Sequence, residues 1–207
     1  MNFLCLLALA VGVCRTEAAL PIMRLEIQPV WEGLLLKTNG MVESRTGFRM
    51  SRLDYLLSKL ALKRADGTWL ESKDWFAFFS LEQGQWRAEA EGLPAEVFTA
   101  IRFEVGVPPE INRADPALWP AGHALNPQVC GLHWGWQGGY VFMALEGFVS
   151  PQRAFSFHIA NDANLTMVEL PLRIQGLLGQ GAIHRAASLG LALPNGTLID
   201  ADGKDAG

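Results

Sequence analysis

Charge is scarce in this chain. Asp, Glu, Lys and Arg make up 18% of its 207 residues and balance to a net −4. No Lys/Arg run or basic stripe occurs, which argues against a nucleic-acid or anionic-membrane surface. Standard catalytic signatures are also missing: the sequence has no GxSxG elbow, HExxH, P-loop or CxxC pair. No internal repeat or coiled-coil period is evident. Tyrosine is rare, with two residues against seven tryptophans. Half of the residues are hydrophobic, so disorder is excluded, and the length suits one domain with a sizeable core plus a targeting segment.

Met1 to Val13 is an apolar run too short for a bilayer and suited to a signal-peptide core, with small residues near Ala18-Ala19 for cleavage. We therefore expect a signal peptide over 1–19 and a periplasmic or secreted protein that is not integral to the membrane. Cleavage removes Arg15 and Glu17, leaving the net charge at −4, and also removes Cys5 and Cys14. Cys130 then stands alone, so no disulfide forms within the mature chain. Its ordinary reading is a small buried hydrophobe, and its sharper one a soft thiolate ligand for copper.

Short strands at turn-punctuated spacing follow. Pro21 to Leu36 reads as an opening strand or two. Gly47 to Arg64 fits neither the helical nor the strand period cleanly, and we read it as strand, short bend, strand, ending at the turn Ala65-Asp66-Gly67, with a helix as the lesser alternative. Trp75–Leu81, Gln85–Ala90, Thr99–Val107, Ala154–Ala160 and Leu165–Leu172 are further strands. Between Pro108 and Pro127 lies a long Pro- and Asn-rich loop, and loops of that length usually have a job. The fold expected is all-β, an antiparallel β-sandwich over 20–175, with a short irregular C-terminal extension over 176–207.

Gly131 to Gly147, GLHWGWQGGYVFMALEG, reads as a central hairpin turning at Gly138-Gly139. That register opposes Gln137 to Tyr140 and His133 to Ala144. It gives one face to Leu132, Trp134, Trp136, Val141, Met143 and Leu145, and the other to His133, Gly135, Tyr140, Phe142 and Glu146. On the later strand, Phe155, Phe157 and Ile159 share one face, and Ser156, His158 and Ala160 the other. His133 and His158 then both lie off the core face, on strands two places apart if strand order follows sequence, and His123 arrives on the long loop. Glu104 and Glu146 read as a solvated strand position and a turn cap rather than as a glycosidase pair.

Four blocks carry a resemblance: FRMSRLDYLLSKLALKRADGTW, LPAEVFTAIRFEVGVPPEINRAD, HALNPQVCGLHWGWQGGYVFMALEG and FSFHIAND. Together, from about Leu25 to Leu172, they resemble the MbnP family of periplasmic copper-binding proteins. The resemblance implies a non-enzymatic β-sandwich protein, the substrate of a dihaem peroxidase of the MbnH/MauG type. That partner oxidises a tryptophan to kynurenine, which joins histidines in binding one copper ion. It implies His133, His158 and His123 as metal ligands, and Trp134, Trp136, Trp69 or Trp75 as the oxidised residue. Two departures stand out: Arg113 occupies a position where many members carry histidine, and their paired cysteines are absent. The alternatives are a carbohydrate-binding sandwich with Trp69, Trp75 or Trp119 as platform, and a structural relative without the metal site.

Overall fold

The computed structural model describes residues 23–27, 29–31, 34–35, 49–94, 96–135, 138–150 and 152–172. The signal peptide, the C-terminal extension and Trp136 lie outside the described residues. The architecture is all-β and sandwich-like, built from antiparallel pairings. Two short strands, β2 (Val30–Trp31) and β3 (Leu34–Leu35), pair with each other near the start.

The central element is β4 (Arg49–Arg64). One of its edges pairs with β5 (Trp69–Ser80) over Asp54 to Lys63. Its other edge is shared end to end: β8 (Val141–Ser150) pairs with Arg49 to Tyr55, and β7 (Phe98–Val105) with Leu57 to Arg64. From that fork β8 carries β9 (Arg153–Ala160) outward, and β7 carries β10 (Thr166–Pro171). Gly106 sits in the crotch, where its N–H donates to the Leu56 carbonyl at 2.8 Å.

The uneven period of β4 has a local cause. Lys59 adopts φ 50°, and in the pairing with β7 two residues of β4, Lys59 and Leu60, stand opposite the single residue Phe103. Side chains alternate along a strand, and one bulged residue reverses the parity beyond it. Tyr55 and Leu57 before the bulge, and Leu60 and Leu62 after it, therefore all reach one core. The expected strand, bend and strand is one strand with a bulge as its bend.

This first core, with Phe79, Trp75, Ile101 and Phe103, is closed by β1 (Met23–Glu26) and β6 (Arg87–Ala90), a separate antiparallel pair contributing Leu25 and Ala90. A second core lies on the opposite face of the sheet. There Leu56, Phe78, Phe142 and Ala144 meet Val107, Leu125, Cys130, Leu132 and Tyr140 from the segment between β7 and β8. The Pro/Asn-rich loop is thus a lid over the sheet, ordered by single helical turns at α1 (Pro109–Asn112) and α2 (Pro127–Cys130). Asn126 caps α2 by accepting from Gln128 N–H at 2.9 Å, and Tyr140 Oη donates to the Leu125 carbonyl at 2.6 Å. Cys130 is buried in this core, where desolvation raises its thiol pKa, as befits a small apolar side chain.

The hairpin expectation needs correction. His133 lies opposite Tyr140, not Ala144, and the turn is closed by Gly138 N–H to the Gly135 carbonyl at 3.2 Å. Residues 132–135 contribute an isolated bridge and no strand. The cause lies outside the segment: Asn112 Oδ1 accepts from Tyr140 N–H at 2.7 Å and fixes the turn to the lid. Gly139 lies against the same asparagine, where a Cβ would stand 2.5 Å from Oδ1. The partner facing Ala144 across β8 and β9 is His158.

Candidate functional site

Strand register assembles the site. β9 places His158 beside Ala144, and β4 places Asp54 on the other side of Ala144 and Arg52 beside Glu146. Alternation puts all of these on the sheet face that the lid covers. A chain of polar contacts joins them. Asp54 Oδ2 accepts from Arg52 Nε at 2.7 Å, Glu146 Oε1 accepts from Arg52 Nη1 at 3.2 Å, and Glu146 Oε1 meets His158 Nε2 at 2.8 Å. The hydrogen bond to His158 and the nearby Arg52 charge together outweigh desolvation and lower the Glu146 pKa. Burial alone would lower the Arg52 pKa, but hydrogen bonds and charges from Asp54 and Glu146 raise it instead. Glu146 is therefore a mid-strand partner of His158 rather than a turn cap. Glu104 is only 19% exposed and pairs with Lys59 at 3.4 Å, so it is not a solvated position.

Trp134 stands over this chain. Its ring lies 5.8 Å from the His158 imidazole at a 58° tilt, and it is 55% exposed. Of the other tryptophans singled out, Trp75 is buried and donates Nε1–H to the Glu89 carbonyl at 2.8 Å. Trp69 lies under two cations, with Arg102 4.3 Å and Lys63 5.5 Å from its ring centre. Trp119 stacks on His123 at 4.2 Å. No bare platform is left among Trp69, Trp75 and Trp119.

The remaining histidines have other neighbours. His123 accepts at Nδ1 from Leu125 N–H at 3.1 Å and meets the Phe76 ring edge-on. His133 packs edge-on against Tyr140 at 4.6 Å. Among the described residues no three His, Cys, Asp or Glu side chains gather in an arrangement able to hold a metal ion. Among the described residues, the encoded donors thus do not by themselves gather into a three-ligand site. What they provide is one imidazole, held by a carboxylate, with an exposed indole beside it.

Desolvation lowers the pKa of His123 and of His133 below 6.5. The unfolded chain then takes up protons first as pH falls, so this contribution to stability is complete above pH 6.5 and is lost below it. We expect the urea midpoint to fall as pH drops from neutral through this range. In a His123→Gln/His133→Gln double variant the slope should flatten. An unchanged slope would show that the acid sensitivity comes from other groups.

The MbnP family model matches residues 21–190. The chain belongs to the MbnP family. Its fold is similar to that of a solved structure of MbnP from Methylosinus trichosporium, with a TM-score of 0.51. The similarity covers 75% of this chain and 71% of that one, at 14% sequence identity. No curated protein matches the chain. Family membership agrees with the resemblance carried by the four blocks. Arg113 pairs with Asp162, four residues beyond His158. Among the described residues no helix is long and apolar enough to cross a membrane.

The sequence reading missed Arg52, Asp54, Asn112 and Asp162 as parts of the site. The spacing of Arg52 and Asp54 on one strand face was available as a signal. Their partner Glu146 became visible only through the pairing of β4 with β8, which lie 94 residues apart at the Arg52–Glu146 contact.

Proposed function

We propose that this chain is a periplasmic or secreted copper-binding protein whose site is built on His158 and an oxidised Trp134. It performs no catalysis of its own and is itself the substrate of a dihaem peroxidase of the MbnH/MauG type. The observation that carries the reading is the placement of Trp134, which is half exposed and beside His158, whereas Trp69 and Trp75 are covered or buried. Converting Trp134 to kynurenine supplies an aromatic amine and a ketone next to an imidazole, a donor set suited to copper. It also accounts for a donor set that, among the described residues, falls short of three ligands. Glu146 holds His158 Nε2 as carboxylates hold metal-ligating imidazoles elsewhere, leaving Nδ1 for the ion. His133, adjacent in sequence to Trp134, is the next candidate ligand, whereas His123 stacks on Trp119.

The test is intact mass and copper content of protein produced in its own host, or with the haem partner. The expected product gains one oxygen, loses one carbon on Trp134 by tandem fragmentation, and carries one copper. Trp134→Phe should abolish the mass change, and His158→Ala should lower copper occupancy while leaving it. An unmodified chain that takes up no copper beside an active partner would sink the proposal. Modification at Trp136 would move the site by two residues.

A further inference from the structure

Beside Arg52, the sheet face and the α2 end of the lid line an open cleft of about 490 Å³. Its charged lining is Asp54, Glu82 and Glu146 against the single cation Arg52, with Gln83 and Gln128 among its neutral polar groups. Arg52 answers only part of that charge. Its contacts go to Asp54 Oδ2 and Glu146 Oε1, while Asp54 Oδ1 is buried without a hydrogen-bond partner. Asp54 as a whole is 5% exposed. A buried carboxylate oxygen left without a donor is costly, and such atoms in folded proteins call for an explanation.

We propose that this cleft binds a small organic cation bearing N–H donors, an alkylammonium or guanidinium compound, with Asp54 Oδ1 as its innermost acceptor. The volume falls in the range of small-molecule sites. The lining carries an excess of two negative charges and little apolar surface, which selects a polar cation over a neutral or hydrophobic ligand. A metal ion fits less well, because no three carboxylate, imidazole or thiol groups gather among the described residues. An N–H cation needs no such convergence, since each of its donors can satisfy a separate oxygen. This site shares Glu146 with the copper reading but does not rest on it, and it is testable on the metal-free, unmodified protein.

The experiment is an amide NMR titration of that protein with methylguanidinium and, separately, n-butylammonium. Methylurea serves as the neutral control, and tetramethylammonium as the cation without N–H donors. Saturable shifts at Gln83, Cys130 and Gly131 are expected with at least one N–H cation and with neither control. Asp54→Asn retains an oxygen for Arg52 but turns Oδ1 into a donor, and should weaken binding roughly tenfold or more. Glu82 is exposed, so Glu82→Gln keeps the fold intact and should weaken binding by roughly two- to threefold. Absence of saturable binding by either N–H cation would overturn the proposal and leave water as the partner of Asp54 Oδ1. Binding that neither variant weakens, or that the controls reproduce, would overturn it equally.

Discussion

Gly106→Ala should be among the most damaging single-methyl changes available in this protein, lowering stability by roughly 3 kcal/mol or more. Two independent costs meet at this position. Its φ of 121° lies in a region that only glycine adopts readily, so any side chain there is strained. A Cβ would also stand 2.6 and 2.8 Å from two carbons of the Phe142 ring and 2.9 Å from Leu165 Cδ1. Phe142 is fully buried, so its ring cannot swing into solvent. The glycine stands where the β7 and β8 arms leave β4, and its N–H holds the Leu56 carbonyl. Moving its backbone would therefore disturb both arms. Denaturant unfolding of Gly106→Ala and of Gly106→Ala/Phe142→Leu separates the two costs. The double variant should recover part of the loss relative to Phe142→Leu alone, because it relieves the clash and not the φ strain. Equal losses in both backgrounds would mean that contact with Phe142 contributes nothing.

This crotch also shows why some of the fold was legible in the sequence and some was not. Local alternation is written into each strand, so the strand cores from Trp75 onward, and the two faces of β9, could be read directly. Phe157 and His158 do fall on opposite faces, as alternation requires. The all-β class follows from many such segments. Which strand pairs with which is decided by contacts distant in sequence, and no single segment encodes them. β4 shares one edge between β7 and β8, which a reading in chain order does not suggest.

The site divides along the same line. His158 was identifiable as an off-core histidine on a strand, and Trp134 as part of an unusual aromatic pair. Their meeting was not, because the hairpin register placed Trp134 on the apolar core face. That register rested on the two-glycine step alone. Tyr140 N–H is claimed by Asn112, 28 residues earlier, and the turn closes at Gly135 instead. A long-range hydrogen bond from a buried side chain overrode a sound local signal.

That same asparagine carries the other large expected effect. Asn112 is 9% exposed and joins three segments that touch nowhere in sequence. It belongs to α1 of the lid, its Oδ1 takes Tyr140 N–H at the hairpin turn, and its Nδ2 donates to Asp162 Oδ1 at 2.9 Å in the β9–β10 connection. Asn112→Ala leaves a buried backbone N–H without an acceptor and frees one contact of Asp162. The expected loss is about 2–4 kcal/mol, from one orphaned buried donor plus a hydrogen bond to a charged group. Asp162→Ala removes only the second contact, together with the Arg113 pair, and should cost less because Tyr140 N–H keeps its partner. Asn112→Asp keeps an acceptor for Tyr140 but sets two carboxylates side by side, so it should lose stability as pH rises through the carboxylate range. Hydrogen exchange at Tyr140 distinguishes the variants. Its amide should lose protection in Asn112→Ala and keep it in Asp162→Ala, and equal protection in both would show that Asn112 does not hold the turn. If it does hold the turn, it also fixes where Trp134 stands relative to His158. On the copper proposal, Asn112→Ala would then lower copper occupancy without altering any proposed ligand.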